Sequence, residues 1–411
     1  MNANRDRIIV YGLGNCWEEK RLLLEKEYEI VACSDADSSK AKCARGHKFI
    51  APGEIKEHEF DYIISCPDNG IIRELICIDY GVPYNKIVLL KELGSDEQGV
   101  LEKSNFNVCD KDVRLTIVIP TYNRRERLIR TCRLLEKQTD KNFKVIILDN
   151  NSDYNVETAL KELSLKLNYS VVRNKFNIGL CGNLASALVQ EAEGWVWTLS
   201  DDDVPMVNAV GCIKNNIVKY GEAVAFHYSI CPELLKDTVQ LKTFSDLLEI
   251  YDNRMSDFAT WERYEGDFVF FSNKVFNADF LKECSSDIFE YCGTVMPHLI
   301  PIIKALNEKR EQVIFAKEQV VYYDAPEAGK HWDWIETATG VSTIMNYPLE
   351  LAEAEKKLLY RLMLLSPRAL ILGTPNNQNG NEAFLIRNLL EKTYSSVLSI
   401  EEMDECMKLL N

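Results

Sequence analysis

Disulfide spacing, metal-site spacing and long apolar runs are all lacking in this sequence of 411 residues. Its 13 cysteines are scattered, and without any Cys-x-x-Cys pair they predict reduced thiols rather than disulfides or a zinc site. No apolar run reaches the ~18 residues of a membrane-spanning helix, and the polar residues that follow Met1 predict no signal peptide. These absences favour a cytoplasmic protein.

An excess of positive charge is also lacking. The chain carries 48 basic and 63 acidic residues, which gives a net charge of −15. Nucleic acids and anionic membranes attract basic proteins, so we expect no nucleic acid among the partners and no broadly basic membrane-binding face. A local basic patch is still present in Arg124, Arg125, Arg127 and Arg130. The composition, with 46% apolar and 27% charged residues, is typical of a globular protein of two or three domains.

Three apolar segments in the middle of the chain predict strands that each end on polar residues. The segments are 115–120, 144–148 and 195–199, and the polar residues that follow them are Thr121 to Arg124, Asp149 to Ser152 and Ser200 to Asp203. After the first segment, Leu128, Cys132 and Leu135 share the face of a predicted helix. Open α/β sheets bind their ligands at the carboxyl ends of strands, so this pattern predicts a ligand site without naming its ligand.

The aspartates Asp201, Asp202 and Asp203 are the most informative part of this predicted site. Three adjacent carboxylates repel one another unless a cation or a ligand rich in hydrogen-bond donors lies among them. Mg²⁺ and Mn²⁺ prefer oxygen ligands, which often include one or two carboxylates and the phosphates of a substrate. An isolated run of this kind also fits a solvated turn that caps the next helix, since Asp favours both positions.

Four motifs, in matching order and spacing, resemble those of the family 2 glycosyltransferases, which have the GT-A fold. They lie within residues 112–335, and they are Val118 to Asn123, Leu148 to Ser152, Asn177-x-Gly179 and Ser200 to Asp203. The resemblance implies a nucleotide-binding α/β sheet. It also implies transfer of a sugar from a nucleotide-diphosphate sugar to a hydroxyl group, with inversion at the anomeric carbon.

The same resemblance implies roles for individual residues. Contacts with the nucleotide-sugar fall to Pro120, Thr121, Tyr122, Asn123, Asp149, Asn150, Asn177, Gly179, Asp201 and Trp332. Mn²⁺ or Mg²⁺ on the diphosphate would be held by Asp202 and Asp203, with His331 completing the shell from a late loop. Alignment on Val204 selects Asp202 as the metal ligand, whereas a literal Asp-x-Asp selects Asp201 and Asp203. Asn150 stands where uridine-using relatives often carry an acid, so uridine is not implied.

The catalytic base is where the sequence departs from the family. The segment 267–272 resembles the strand that lies beneath the acceptor, and relatives follow it with a helix that begins on an acidic pair. The best counterpart of that helix is 297–304, where the pair is absent and His298 stands in its place. A neutral imidazole accepts protons near neutral pH, so His298 is a candidate base, with Glu290 and Asp287 as rivals. A structural role of His298 is the alternative.

Residues 1–93 predict a separate Rossmann-like domain, because strands and helices alternate along them as in a parallel sheet. Gly12, Gly14 and Asp35 match part of the dinucleotide fingerprint, but Trp17 replaces its third glycine. The segment is similar to the small domain ahead of bacterial sugar acetyltransferases, where it binds nucleotide-sugar; packing or dimerisation is the alternative. The further predicted regions are a linker at 94–112, the GT-A domain at 113–340 and a helical tail at 341–411.

The expected function is inverting, metal-dependent glycosyl transfer in the assembly of a bacterial surface polysaccharide or glycoconjugate. Its partners would be a nucleotide-diphosphate sugar and a saccharide or lipid-linked saccharide acceptor. Peripheral attachment to the inner face of the cell membrane and homo-oligomerisation are left open. The missing acidic pair supports an alternative, a non-catalytic nucleotide-sugar-binding regulatory or scaffold protein.

Overall fold

The computed structural model describes residues 5–67, 70–83, 86–90, 111–231, 233–251, 254–308, 312–323, 334–374 and 380–410. Contacts between Cα atoms divide the chain into two compact units. The first contains Met1–Val108 with the short pieces Arg133–Thr139 and Val204–Asn208, and the second contains the remainder. Residues 94–110 of the predicted linker lie outside the described residues.

The amino-terminal unit is built around a parallel sheet flanked by helices. Its elements are β1 (Arg7–Tyr11), α1 (Asn15–Glu27), β2 (Glu29–Ser34), β3 (Phe49–Ile50), β4 (Tyr62–Ser65), α2 (Gly70–Asp79) and β5 (Ile87–Leu89). The strand order is β3-β2-β1-β4-β5. Both faces of the sheet are buried, since Ile8 packs in one apolar cluster with Trp17 and Ile9 packs in another with Ile76. This arrangement confirms the predicted Rossmann-like sheet.

The loop after β1 requires glycine at its first position. Gly12 has a φ of 88°, and a Cβ atom there would lie 2.2 Å from Cδ of Pro67. The next residue, Leu13, donates its backbone N–H to Oδ2 of Asp35 at 2.6 Å. The carboxylate at the end of β2 therefore stabilises the glycine loop itself.

The larger unit is built around a mixed sheet. Its strands along the chain are β6 (Leu115–Thr121), β7 (Lys144–Asp149), β8 (Tyr169–Arg173), β9 (Trp195–Thr198), β11 (Ala223–Tyr228), β12 (Val239–Leu241), β13 (Lys274–Asn277), β14 (Gln312–Ala316) and β15 (Val321–Tyr322). The short strand β10 (Val204–Pro205) lies within the Val204–Asn208 piece of the first unit. The sheet order is β12-β14-β11-β13-β9-β6-β7-β8. Strands β6 to β9 pair in parallel, whereas β13 is antiparallel to both of its neighbours. The predicted α/β class is confirmed.

Helices cover this sheet and form the carboxyl-terminal part of the chain. They are α3 (Arg125–Glu136), α4 (Val156–Lys161), α5 (Gly179–Leu188), α6 (Ala209–Lys219), α7 (Phe244–Tyr251), α8 (Phe258–Val269), α9 (Ala278–Glu283), α10 (Ser285–Glu290), α11 (Leu299–Glu308), α12 (Trp334–Ser342), α13 (Glu353–Met363), α14 (Pro367–Gly373), α15 (Gly380–Lys392) and α16 (Ile400–Leu409). Short 3-10 helices lie at Ser38–Ala44, Pro52–Glu57, Cys292–Thr294, Thr343–Asn346 and Tyr394–Ser396.

The predicted helical tail is confirmed, and it packs on α8. Trp261 of α8 is fully buried and donates its indole N–H to the carbonyl of Leu364 at 3.1 Å. The guanidinium of Arg361 lies 4.5 Å from the centre of the same ring, at cation–π distance. Among the described residues, no helix is both long enough and apolar enough to cross a membrane.

The prediction of a strand at 267–272 is wrong. Helix α8 continues to Val269, and β13 begins only at Lys274. The ammonium of Lys274 is buried, and it donates to the carbonyls of Phe268 and Phe270 at 2.8 and 2.7 Å, which satisfies the end of the helix. An apolar run fits a buried helix as well as a buried strand, so the pattern alone does not separate the two.

Replacement of Gly12 by alanine should destabilise the amino-terminal unit by roughly 2–4 kcal/mol, because left-handed strain and a clash with Pro67 add together. Gly14 provides the matched control. It caps α1 at a negative φ, and an added Cβ would meet open space, so Gly14→Ala should cost less than about 1 kcal/mol. Urea denaturation followed by circular dichroism measures both, and equal losses would contradict the steric argument.

Candidate active site

The carboxyl ends of β6, β7 and β9 lie at one edge of the mixed sheet, because these strands are parallel and β6 lies between the other two. Thr121, the last residue of β6, pairs in register with Asp149, the last residue of β7. Asp201–Asp203 come shortly after the end of β9. The structure therefore brings together the polar segments that follow these strands in the sequence.

Asp201 lies inside this edge and is almost fully buried. Its carboxylate accepts hydrogen bonds from Oγ1 of Thr121 at 2.6 Å and from Nη1 of Arg124 at 3.2 Å. Burial raises the pKa of Asp201 to about 6, an effect that Arg124 opposes and the neighbouring charge of Asp202 reinforces. Asp201 thus binds the end of β6 through Thr121 and pairs with the half-exposed Arg124.

Asp202 is the residue of the run that reaches solvent, with 17% of its side chain exposed. Its Oδ1 accepts a hydrogen bond from Oγ of Ser200 at 2.5 Å. Its Oδ2 lies 2.5 Å from Nη1 of Arg124 and 3.3 Å from Nη1 of Arg127. Arg130 donates to the backbone carbonyl of Asp202 at 2.6 Å, which fixes the main chain. Both carboxylate oxygens are therefore engaged by groups of the chain itself.

Asp203 points away from the other two aspartates. It is buried, and its Oδ2 accepts a hydrogen bond from Oγ of Ser272, in the loop between α8 and β13. The backbone carbonyls of Asp201 and Asp203 both accept hydrogen bonds from Oγ1 of Thr131, on helix α3. In this structure Asp203 joins the run to the interior of the unit.

The arginines are the functional residues that the sequence reading left without a role. Arg127 and Arg130 lie three residues apart on one face of α3, and Arg124 directly precedes the helix at the same spacing. All three arginines contact Asp202. Arg125, by contrast, pairs with Glu162 at 3.7 Å. The spacing was visible in the sequence, but the strand order that places Asp202 opposite this face was needed to interpret it.

Of the three aspartates in the run, Asp202 has the carboxylate that suits a metal ion on a substrate. Mg²⁺ and Mn²⁺ are often bound by one carboxylate with the remaining ligands from phosphates and water, and the partly exposed Asp202 fits that role. Asp203 is buried and accepts a hydrogen bond from Ser272. His331 lies outside the described residues. Where the chain is described, no cluster of three or more His, Cys, Asp or Glu side chains is placed to hold a metal ion.

Asp149 stabilises the turn that follows β7. It is fully buried, and it accepts hydrogen bonds from the backbone N–H of Ser152 at 2.8 Å and from Nη1 of Arg173 at 2.6 Å. Arg173 also donates to the carbonyl of Ser152 at 2.7 Å, so the turn is held from both ends. A nucleobase at this edge would meet a turn whose carboxylate is already hydrogen-bonded.

Asn150 connects that turn to the segment before α5. Its Nδ2 donates to Oδ1 of Asn177 at 2.8 Å and to the carbonyl of Gly179 at 3.2 Å. Its Oδ1 accepts from Nδ2 of Asn174 and from the backbone N–H of Ile178, both at 3.0 Å. Only an amide provides donors and acceptors together in this way, whereas a carboxylate would face two oxygens. This network gives a structural reason for asparagine at position 150.

Tyr122 is the exposed aromatic group at the same edge, with 41% of its surface accessible. The chain then turns sharply at Asn123, which has a φ of 55° and donates from Nδ2 to Asp153 at 2.8 Å. Pro120 is buried within β6. The candidate nucleotide contact Trp332 lies outside the described residues.

His298 lies in the interior, with only 2% of its surface exposed. Its Nε2 donates to the carbonyl of Val269 at 2.7 Å, and its ring packs edge-on against Phe271 at 5.2 Å between centres. Burial, reinforced by the nearby ammonium of Lys274, lowers the pKa of His298 to about 3. This buried position agrees with the alternative interpretation, a structural role of His298, because an acceptor hydroxyl at the surface would not contact it.

The other two candidate bases lie on α10, a helix that packs against α5. Asp287 forms an ion pair with Lys304 at 2.6 Å. Glu290, the last residue of the helix, is exposed. Of the three candidates, Glu290 is therefore the one whose side chain is exposed to solvent.

Comparison with known proteins agrees with this geometry. Residues 116–284 match the family model of glycosyl transferase family 2, and residues 4–88 match the model described as C2185-like, N-terminal. An uncharacterized glycosyltransferase of Haemophilus influenzae is 33% identical over 89 residues, which are 22% of this chain. The aligned segment spans 29% of that relative's length.

Two solved structures are similar to this chain. The crystal structure of S. aureus TarS 1–349 in complex with UDP-GlcNAc has a TM-score of 0.50 and 18% identity, covering 72% of this chain and 84% of that chain. A mannosyltransferase from Pyrobaculum calidifontis, in complex with GDP-Man and Mn²⁺, has a TM-score of 0.43 and 15% identity, covering 72% of this chain and 85% of that chain. The similarity to TarS confirms the GT-A-like arrangement of the central sheet.

His298→Leu should lower the free energy of unfolding at pH 7 by roughly 1–3 kcal/mol, because the carbonyl of Val269 loses its donor. In the wild type, His298 is neutral when folded and takes up a proton on unfolding between its folded pKa of about 3 and the ordinary value of 6.5. Its contribution to stability is present above pH 6.5 and is lost as the pH falls through this window. The variant should thus show a weaker dependence of stability on pH there, and an unchanged slope in urea titrations would contradict the burial.

Proposed function

We propose that this chain, whose residues 116–284 form a glycosyl transferase family 2 domain, transfers a sugar from a nucleotide-diphosphate sugar to a hydroxyl group. The observation that carries the proposal is the partly exposed Asp202 at the carboxyl edge of the sheet, with Arg124 and Arg127 against it. Guanidinium groups bind phosphate oxygens in a bidentate manner, so the same cluster suits a diphosphate. The family assignment supports the sugar as the transferred group.

The donor would lie across the ends of β6, β7 and β9. Its diphosphate would meet the first turn of α3, where the positive end of the helix dipole favours anions. The exposed ring of Tyr122 suits contact with the base or ribose. Thr121, Asp149 and Asn150 would act by holding the loops that form this surface, since their side chains are hydrogen-bonded within the chain.

A divalent cation, Mn²⁺ or Mg²⁺, would be held by Asp202 with its other ligands from the diphosphate and water. When bound, such an ion supplies Lewis-acid stabilisation of the charge that develops on the departing nucleotide diphosphate. Arg127 supplies positive charge to the same region from the chain itself, and Arg130 keeps the backbone of Asp202 in place. The residues present therefore fit a metal-assisted transfer.

Inversion at the anomeric carbon requires a base that takes the proton of the attacking hydroxyl. The family assignment supports inversion, and the exposed carboxylate of Glu290 supports that residue as the base. Asp287 is a second candidate, although its pairing with Lys304 favours a structural role. His298 is retained only as a residue that supports the end of α8 through the carbonyl of Val269.

The acceptor proposed is a saccharide or a lipid-linked saccharide, in the assembly of a bacterial surface polysaccharide or glycoconjugate. This part rests on the family assignment, since polymer and glycoconjugate assembly is the expected role of such domains. A cytoplasmic location, with peripheral attachment at the inner face of the cell membrane, would place the site where nucleotide-sugars and lipid-linked acceptors meet. Homo-oligomerisation belongs to the same proposal and is testable by light scattering.

One observation favours a second candidate, a non-catalytic protein that binds nucleotide-sugar. The histidine that replaces the usual acidic pair is buried and bonded to the backbone, so it does not substitute for the missing acids. The exposed carboxylate of Glu290 supports a catalytic protein instead, because it is available as a base. Nucleotide binding without release of sugar from any donor would decide for the binding protein.

Asp202→Asn should lower the rate of nucleotide release by roughly 100-fold or more, because the variant loses the charge that holds the cation on the diphosphate. The assay uses a panel of nucleotide-sugars, including UDP-GlcNAc and GDP-mannose, with Mn²⁺ or with EDTA. The fold should persist, since the amide keeps the size of the carboxylate and the side chain is partly exposed.

Asp237→Asn is the matched control for that experiment. Asp237 is an exposed carboxylate paired with Lys317 at 3.3 Å, so its removal should change neither turnover nor melting temperature. Wild-type turnover of Asp202→Asn in excess metal would contradict the role given to Asp202. Nucleotide release that is insensitive to EDTA in the wild type would contradict metal dependence.

Glu290→Gln should reduce transfer by roughly 100-fold at saturating donor, because the amide accepts no proton. Donor affinity and melting temperature should stay at wild-type values, since the side chain is exposed. Glu283→Gln, which changes another exposed carboxylate at the end of the neighbouring helix α9, is the control. Transfer rates of Glu290→Gln equal to those of the control would show that the base lies elsewhere.

A further inference from the structure

Among the described residues, the positive charge closest to Asp202 belongs to a side chain that is half exposed. Nη1 of Arg124 lies 2.5 Å from Oδ2 of Asp202 and 3.2 Å from Oδ1 of Asp201. About half of the Arg124 side chain, 48%, is exposed to solvent. Movement of its guanidinium would break the ion pairs with Asp202 and with the buried Asp201, and Asp201 would keep its hydrogen bond from Thr121.

The other two arginines of the cluster are held more firmly. Arg127 is mostly buried, with 19% of its side chain exposed, and it lies farther from Asp202, at 3.3 Å. Arg130 donates to the backbone carbonyl of Asp202 at 2.6 Å. The cluster thus has fixed members, Arg127 and Arg130, and one exposed member, Arg124.

The charges around Asp202 disfavour a divalent cation when no donor is bound. A cation entering the empty site would meet one exposed carboxylate and two guanidinium groups, and like charges at this distance repel. It would also have to compete with Arg124 for Oδ2. A diphosphate changes this balance, because it brings negative oxygens that satisfy the cation and the displaced guanidinium together.

We propose that Arg124 is an exchangeable counter-cation, which occupies the Asp202 carboxylate while the donor site is empty and moves to the diphosphate when donor and metal bind. The inference rests on the proposed function, since it takes the donor to carry a diphosphate. Its consequence is coupling between the two ligands: the metal binds weakly without the donor, and each raises the affinity for the other by the same factor.

Removal of Arg124 should free the carboxylate and tighten metal binding to the donor-free protein. The test titrates wild type and Arg124→Ala with Mn²⁺ alone and follows free Mn²⁺ by electron paramagnetic resonance. We expect the variant to bind Mn²⁺ about tenfold more tightly, within the usual range of coupling between sites. In the same titration Arg124→Ala/Asp202→Asn should lose the gain, which assigns it to Asp202.

Arg125→Ala is the matched control, because Arg125 is the adjacent arginine, is equally exposed and pairs with Glu162 instead. It should bind Mn²⁺ as the wild type does. Arg124→Lys should also stay close to wild type, since it keeps a positive charge at the site. Arg124→Gln is measured alongside as a neutral variant that keeps a hydrogen-bond donor, in case the alanine variant does not fold.

A second readout is calorimetric binding of UDP and of GDP in EDTA, where the neutral variants should bind more weakly than wild type. The proposal would be overturned if Arg124→Ala and Arg124→Gln both bound Mn²⁺ with wild-type affinity. It would also be overturned if Arg125→Ala raised the Mn²⁺ affinity as much as they do. The Mn²⁺ titration uses no donor and therefore tests the role of Arg124 separately from the proposed function. If the Arg124 variants bind Mn²⁺ as wild type does, while wild type releases nucleotide from a sugar donor, the proposed function stands and the role of Arg124 does not. Failure of wild type to bind any nucleotide or nucleotide-sugar would count against the proposed function and against the move of Arg124 to a diphosphate.

Discussion

The balance of charge around Asp202 is the constraint on which the rest of the site depends. Three consecutive carboxylates at the end of a buried strand are unfavourable unless each has a distinct partner. Asp201 is buried and accepts a hydrogen bond from Thr121. Asp203 accepts one from Ser272, and Asp202 is partly exposed and pairs with Arg124. One carboxylate is thereby left at the surface in a fixed position, and that position faces the first turn of α3.

The loop between α8 and β13 supports this arrangement from the opposite side. Ser272 binds Asp203 through its hydroxyl, and the same oxygen accepts the backbone N–H of Ser200 at 2.8 Å. The indole of Trp197 holds the carbonyl of Ser272, and the buried Lys274 holds the end of α8. Because β13 is antiparallel, the residues before it reach the same edge as the residues that follow β9. The geometry of the site is thus set by the mixed character of the sheet.

Much of the fold could be predicted because apolar segments, turns and polar strand ends follow local rules, as at β6, β7 and β9. The segment 267–272 could not, since a buried ammonium six residues away in the sequence from Phe268 ends the helix there. Long-range contacts also separate the role of a residue from its motif. Asn150 looks like a base-binding position in the sequence, whereas its partners Asn174 and Ile178 show a loop anchor. His298 looks like a base until its burial is known.

The order of these partners along the chain has a consequence for biosynthesis. Arg124 precedes Asp202 by 78 residues, whereas Ser272 follows Asp203 by 69. During translation, Arg124 has therefore already been synthesised when the ribosome reaches β9 and Asp202. Ser272, which binds Asp203, is synthesised later. A nascent chain, or a proteolytic fragment that ends before α8, contains Arg124 and Asp202 but lacks Ser272, the residue that binds Asp203.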